Sequence, residues 1–241
     1  MNNKRLKVAL TGGLGCGKSS VLSLFQQAQW HTFSADDYVH HLLEQDLSVI
    51  QAIVDTFSTQ VLDATGKIDR KRLSDIVFNQ TFVKKFDFEE IVRRDPRSVQ
   101  PVHEQIDSYR NSKACFLPGS VTDFQQLNQL EAILHPHVID AYQKAAADDL
   151  INNFIAEIPL LFEKKLENSF DFVVCVGCSP HIATQRLRQK QWPEDVIQAR
   201  QACQWGLDQK LQHAQFIFWN DGTLEWLKRQ VDRFLCITSS R

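Results

Sequence analysis

The run Gly12-Gly13-Leu14-Gly15-Cys16-Gly17-Lys18-Ser19 fits the pattern G-x-x-x-x-G-K-[ST]. Such a run supports phosphate chemistry. Small residues let the backbone bend until several N–H groups converge on one hollow, where they hold phosphate oxygens. Lys18 is spaced to reach the β- and γ-phosphates of a nucleotide, and the Ser19 hydroxyl to ligate Mg²⁺. Gly13, Leu14, Gly15, Cys16, Gly17 and Ser20 are the remaining candidate phosphate-site residues.

Those residues act only if neighbouring elements hold them. Upstream, Leu6-Lys7-Val8-Ala9-Leu10-Thr11 alternates and then closes apolar, as a short buried strand does. Downstream, Ser20 to Ala28 carries apolar residues at helical spacing without a breaker. Strand, glycine loop and helix in this order place phosphate at a helix N-terminus, where the partial charge is positive. The competing reading is a plain glycine-rich turn between strand and helix, which leaves the Lys-Ser pair unexplained.

A second candidate follows the next strand, Trp30 to Ser34. Asp36 stands at its C-terminal end, where parallel sheets bind ligands, and is a candidate base. The same position suits a helix N-cap or first-turn acid, and Asp37 fits that reading better. Further along, Thr65 to Arg70 reads as a turn and the start of an N-capped helix over 71–78. Arg70 either neutralises phosphate or snorkels from that helix. Residues 80–125 are charged and broken by Pro96, Pro101 and Pro118-Gly119. Helical pattern returns at Leu127 and is expected to be interrupted by His135-Pro136 before running on to about Leu150.

A third strand is expected over 150–156, ending on Glu157, the nearest equivalent of a metal-binding acid after an apolar run. Ile158 to Glu163 turns away from the sheet. Phe172 to Val176 is β-branched and continuous, as a strand buried on both faces should be. A helix with Arg186, Arg188 and Lys190, a break at Trp192-Pro193 and a second helix with Arg200 and Gln204 form a basic pair suited to closing over phosphates. A fifth strand over 215–219, Asn220-Asp221-Gly222 and an amphipathic helix complete the chain. Five strands alternating with helices predict a parallel sheet covered on both faces.

Lys and Arg number 27 and Asp and Glu 29 across 241 residues, so no basic field recommends nucleic acid as a partner. No apolar run is long enough to span a bilayer and no apolar signal segment is visible, so a cytoplasmic protein is expected. Cys175-x-x-Cys178 has no second Cys or His pair at metal spacing and reads as small buried strand residues. The nucleotide-base signature N-K-x-D of GTPases is missing. With the basic helix pair, this favours a small-molecule kinase.

The chain resembles the dephospho-CoA kinase family. The matching pieces run in order from residues 11–19 through Ala35-Asp36, Gly66-x-Ile68-x-Arg70 and Val77-Phe78-Asn79. They continue through Leu130 to Pro136, Pro159-Leu160-Leu161-Phe162-Glu163, Arg200-x-x-x-Gln204 and Asn220-x-Gly222. The resemblance implies a three-layer P-loop fold, with ATP and Mg²⁺, and transfer of the γ-phosphate to the ribose 3′-hydroxyl of dephospho-CoA. It implies Asp36 as base, with Lys18, Arg186, Arg188 and Lys190 neutralising transferred charge. Asn220 falls to the nucleotide and Ser19 with Glu157 to the metal. Arg70, His135, Pro159, Leu160, Glu163 and Arg200 fall to the acceptor.

It further implies one domain over 1–241, with a helical acceptor-side subdomain at about 36–149 and a lid at about 182–206. Residues of about 83–125 are expected as an insertion longer than the family norm, and two further departures stand out. Ser34 replaces the first acid of the family's Asp-Ala-Asp, and Lys190 stands where a lid arginine is usual. The partner expected is the small-molecule substrate, with no nucleic acid and no membrane, in a monomer or weak homo-oligomer. The alternatives are a kinase of another small hydroxyl acceptor, such as a nucleoside or nucleotide, and a non-catalytic nucleotide-binding paralogue.

Overall fold

The computed structural model describes residues 5–78, 123–148, 152–192 and 194–239. These divide into two compact units, one of Met1–Gln45 with His135–Arg241 and one of Asp46–Leu134.

The first unit is built on five parallel strands: β1 Lys7–Gly12, β2 His31–Ser34, β3 Phe154–Glu157, β4 Phe172–Gly177 and β5 Phe216–Trp219. Their order is β2-β3-β1-β4-β5, with β1 central. The chain leaves β1 to one side for β2 and β3 and to the other for β4 and β5, which is the topology that opens a ligand crevice at the strands' carboxyl ends. Register places Glu157 opposite Leu10 of β1 and Ser34 of β2.

Alternate residues of β1 serve opposite faces. Val8 and Leu10 join Val21, Phe25, Trp30, Val174, Val176 and Phe234 in one buried cluster. Ala9 joins Tyr142, Phe154, Ala156, Phe162 and Val173 in the other. The first cluster packs α1 (Lys18–Gln27) and the final helix (Leu224–Ser239) on the sheet. Phe234 is its centre, with the rings of Phe25, Phe172, Phe216 and Phe218 all within 6.4 Å and edge-on.

Three expectations are corrected. Helix α2 (Ala35–Gln45) begins before Asp36 rather than after it, because the Ser34 hydroxyl accepts from the Asp37 N–H at 3.2 Å and starts the helix there. Asp36 and Asp37 thus both lie in its first turn. Strand β3 begins at Phe154; Asn153, expected in the strand, spends its side-chain oxygen on Leu6 N, while residues 150 and 151 lie outside the described residues. His135-Pro136 does not interrupt its helix, which runs unbroken over Asp123–Asp148 with Pro136 inside. One missing N–H costs that helix a single backbone bond, and Tyr142 and Ala146 beyond it are buried.

In the second unit, α3 (Leu47–Phe57) is capped by Asp46, whose carboxylate accepts from Ser48 N and Val49 N. A turn with Gly66 at φ 82° leads to α4 (Arg70–Phe78), where Asp69 accepts from Lys71 N and Arg72 N. Ile53, Val61, Ile68, Leu73 and Val77 are buried. Arg70 is exposed in the first turn of α4. Residues 79–122, and with them most of the expected insertion, lie outside the described residues. Following Asp123–Asp148, here α5, the remaining helices are α6 Pro180–Gln189, α7 Glu194–Ala202, α8 Leu207–His213 and α9 Leu224–Ser239. Gln204, expected on the second basic helix, falls past the end of α7.

Candidate active site

Helix α1 starts directly on the glycine loop, with Gly17 at its cap and φ 91°. A Cβ at Gly17 would collide with the Asn220 amide nitrogen, and one at Gly15 (φ 76°) would sit 2.9 Å from the Ala183 carbonyl. Both positions therefore need glycine for space as well as for conformation. The helix N-terminus opens on a cleft of about 440 Å³, lined by Leu14, Gly15, Gly17, Lys18, Ser19 and Ser20. The positive dipole end of the helix suits an anion.

Lys18 is largely buried, and its ammonium donates to the carbonyls of Gly13 at 3.2 Å and Gly12 at 3.4 Å. The loop's own oxygens thus hold the cation that a phosphate would take up. Across the cleft stand Asp36, from the first turn of α2, and Glu157, from the end of β3. Burial pushes the Glu157 carboxyl up to about 7; Asp36 and Asp37 push it the same way, while Lys18 and Lys190 oppose. Two carboxylates facing the phosphate loop leave it short of positive charge. Hard oxygen donors of this kind, with the Ser19 hydroxyl, fit Mg²⁺.

Helix α6 and the residues just after it contribute Arg186, Leu187, Gln189, Lys190 and Trp192 to the lining. Arg186 Nη2 donates to Asn220 Oδ1 at 3.4 Å, while Nη1 is buried with no hydrogen-bond partner among the described residues. Lys190 caps the C-terminus of α6. Asn220 follows β5 and donates to the Cys16 carbonyl at 2.9 Å, so one amide meets both the phosphate loop and the lid arginine. Its neighbour Asp221 accepts from Ser179 N at 2.7 Å and thereby pins the start of α6; that bond holds the Asp221 carboxyl below its usual range. Gly222, Leu224 and Leu227 complete an apolar wall with Leu187 and Trp192.

The cleft brings together most of the expected phosphate and metal residues with Asp36, Arg186 and Lys190. Gly13 and Cys16 belong to the loop but do not line it. Arg188 is exposed on α6 and is not in the lining. Arg200 stacks over the Trp192 ring at 4.6 Å. Pro159, Leu160 and Glu163 lie just beyond β3 and outside the lining. Glu163 accepts from Trp205 N at 2.6 Å and pairs at 3.1 Å with Lys210, which is fully buried and also donates to the Pro159 carbonyl at 2.5 Å. His135 lies on α5. Sequence reasoning missed Lys210, Asp221, Leu224 and the lining role of Trp192. Lys210 gives no local signal, because an isolated lysine in a short amphipathic helix looks solvated.

A buried lysine at a helix N-terminus, two acids facing it and a basic helix in one cleft suit phosphoryl transfer to a small acceptor, and with this sheet they define the class of P-loop kinases. The profile of the dephospho-CoA kinase family matches residues 6–118 and 121–225, and the chain belongs to that family. The matched residues take in 83–118, most of the stretch expected as an insertion. The chain is 30% identical to the dephospho-CoA kinase of Protochlamydia amoebophila over 95% of its own length and 94% of the relative's. It is 27% identical to that of Bdellovibrio bacteriovorus with the same coverage. The fold is shared with a crystal structure of a Thermus thermophilus protein (TM-score 0.63, 20% identity, 97% of each chain). It is also shared with the dephospho-CoA kinase of Campylobacter jejuni (TM-score 0.54, 21% identity, 98% of each chain). No helix among the described residues is long and apolar enough to cross a membrane.

Proposed function

We propose that this chain transfers the γ-phosphate of ATP to the ribose 3′-hydroxyl of dephospho-CoA, giving coenzyme A and ADP. The observation that carries the reading is the cleft itself, where Asp36 and Arg186 face a phosphate loop opening on a helix N-terminus. Asp36 takes the proton of the attacking hydroxyl. Lys18 leaves the loop carbonyls for the β- and γ-phosphates, whose oxygens also take the first-turn N–H groups of α1. Arg186 brings a guanidinium whose Nη1 is buried and unpartnered among the described residues, placed to donate to a phosphate oxygen. Lys190 adds a point charge beside it. The apolar wall of Leu187, Trp192, Leu224 and Leu227 suits the purine.

Ser19 and Glu157 are the residues that would hold Mg²⁺, which when bound neutralises charge spread over the β- and γ-phosphates. The rest of the rate comes from positioning and from excluding water as α6 and α7 close. On the acceptor side we assign Arg70, His135, Pro159, Leu160, Glu163 and Arg200, following the family pattern; Arg188 supports the lid. Glu163 has its Oε1 engaged, while its Oε2 is buried with no partner among the described residues. The family-atypical length of about 83–125 and the helical acceptor-side reach of about 36–149 stand as part of this reading. So do a cytoplasmic location and a monomer or weak homo-oligomer.

A coupled assay of ADP release, run with dephospho-CoA against a panel of nucleosides and nucleotides, tests the proposal. Turnover confined to dephospho-CoA supports it. Turnover on a nucleoside instead, or ATP binding without turnover on any acceptor, would replace it.

A further inference from the structure

Cys16 and Cys178 are separated by 162 residues and meet inside the first unit, with the Cys178 thiol donating to the Cys16 sulfur at 3.3 Å. They are only 2% and 1% exposed. Cys16 sits between Gly15 and Gly17 in the phosphate loop, and Cys178 sits between the end of β4 and Ser179, the cap of α6. The loop is packed around this sulfur: a Cβ at Gly13 would come within 2.7 Å of it. The Cys16 carbonyl is at the same time the acceptor for Asn220. Neither thiol has a part in phosphoryl transfer.

We propose that Cys16 and Cys178 form a modification site, at which a hydroperoxide converts the pair to an intramolecular disulfide that closes the phosphate loop to ATP. In the first step the Cys16 sulfur attacks the peroxide oxygen. The O–O bond breaks, Cys16 becomes a sulfenic acid and one water (or alcohol) leaves. In the second, the Cys178 sulfur attacks the Cys16 sulfur, the S–O bond breaks, and the hydroxyl departs as water with the Cys178 proton. Two electrons pass from the thiols to the peroxide. The roles follow from the contact, in which the Cys178 thiol donates to the Cys16 sulfur. A dithiol reverses the reaction by exchange.

The consequence for ATP is geometric. A disulfide holds its sulfurs at about 2.05 Å, roughly 1.3 Å closer than the thiols stand. Closing that gap draws the Gly15–Gly17 backbone toward the end of β4. The N–H groups that cradle phosphate move with it, and so does the carbonyl that Asn220 holds. Conversely, bound ATP fixes the loop in its open form and slows the reaction.

The test uses the whole reduced protein, exposed to hydrogen peroxide with and without saturating ATP, then digested without reductant and analysed by mass spectrometry. The expected result is a peptide linking Cys16 to Cys178 and loss of two of the six thiols. ATP affinity by calorimetry should fall at least tenfold, return with dithiothreitol, and be protected by ATP during exposure. Cys178→Ala should bind ATP like the parent before oxidation and keep that affinity after it. Peptides carrying Cys16 as free thiol or as unlinked sulfinic acid would overturn the proposal, and so would a linked protein that binds ATP like the reduced one. Peptide mapping of the parent decides the matter even where the variant folds poorly.

Discussion

Asn220 donates from Nδ2 to the carbonyl of Cys16 at 2.9 Å, joining the exit of β5 to the phosphate loop across 204 residues of chain. Its other amide atom accepts from Arg186, so the phosphate loop, α6 and the sheet share one side chain that is itself buried. Replacing it by alanine strands a buried carbonyl, at a cost of about 1–3 kcal/mol. Asn220→Ala should therefore raise the ATP KM by roughly tenfold, since each 1.4 kcal/mol is a factor of ten. Steady-state kinetics with ATP varied check this; an unchanged KM would confine Asn220 to a packing role.

Asp36→Asn keeps the side chain's shape and removes its ability to accept a proton. Turnover should fall by roughly 10²–10⁴ while ATP affinity stays near that of the parent. Single-turnover rates beside calorimetric ATP binding separate the two. Wild-type turnover would transfer the role to another acid, with Asp37 next in line on the same helical turn.

The three cations of α6 and its C-cap should not be equivalent. Arg186 lines the cleft with a nitrogen unpartnered among the described residues, whereas Arg188 on the same helix is exposed outside it. Arg186→Ala should cost at least roughly 10² in kcat/KM, Arg188→Ala and Lys190→Ala less than about tenfold, and Lys190→Arg should be tolerated. A severe Arg188→Ala with a mild Arg186→Ala would reverse this placement.

Glu157 makes the cleft sensitive to pH. Its carboxyl is raised from the ordinary 4.5 to about 7, so the folded protein holds a proton that the unfolded chain releases across that window. The unfolded state binds fewer protons there, and stability from this group is full below about pH 4.5 and declines as the pH rises to about 7. The whole effect is on the order of 3 kcal/mol. Thermal melts in EDTA should show Glu157→Gln flattening this decline and melting above the parent at pH 8, with activity lost. Parallel pH profiles for the two proteins would remove Glu157 as the source.

Ser34 keeps the helix start that an acid at this position would also supply, because either oxygen can accept from the Asp37 N–H. Ser34→Asp should fold and turn over near the parent rate, while Ser34→Ala should lose about 1 kcal/mol in denaturant unfolding. A Ser34→Asp variant that folds but fails to turn over would show a site built around the hydroxyl.

What the sequence by itself determined was local. The spacing of Gly12, Gly17, Lys18 and Ser19 needs only neighbours along the chain to make a phosphate loop. The apolar runs at 8–10 and 172–176 similarly announce strands through their own periodicity. Asp46 and Asp69 cap α3 and α4 through bonds to residues two and three positions on. His135-Pro136 misled because proline's local preference was outweighed by burial of residues beyond it.

Tertiary structure decided everything that depends on a partner far along the chain. It put Arg186 rather than Arg188 in the cleft, because a helix turns about 100° per residue and only one face meets the loop. It paired Glu163 with the buried Lys210, raised the Glu157 carboxyl through burial and distant acids, and set Cys16 against Cys178. Desolvation and proximity are properties of the packed sheet, and no residue carries them in its name.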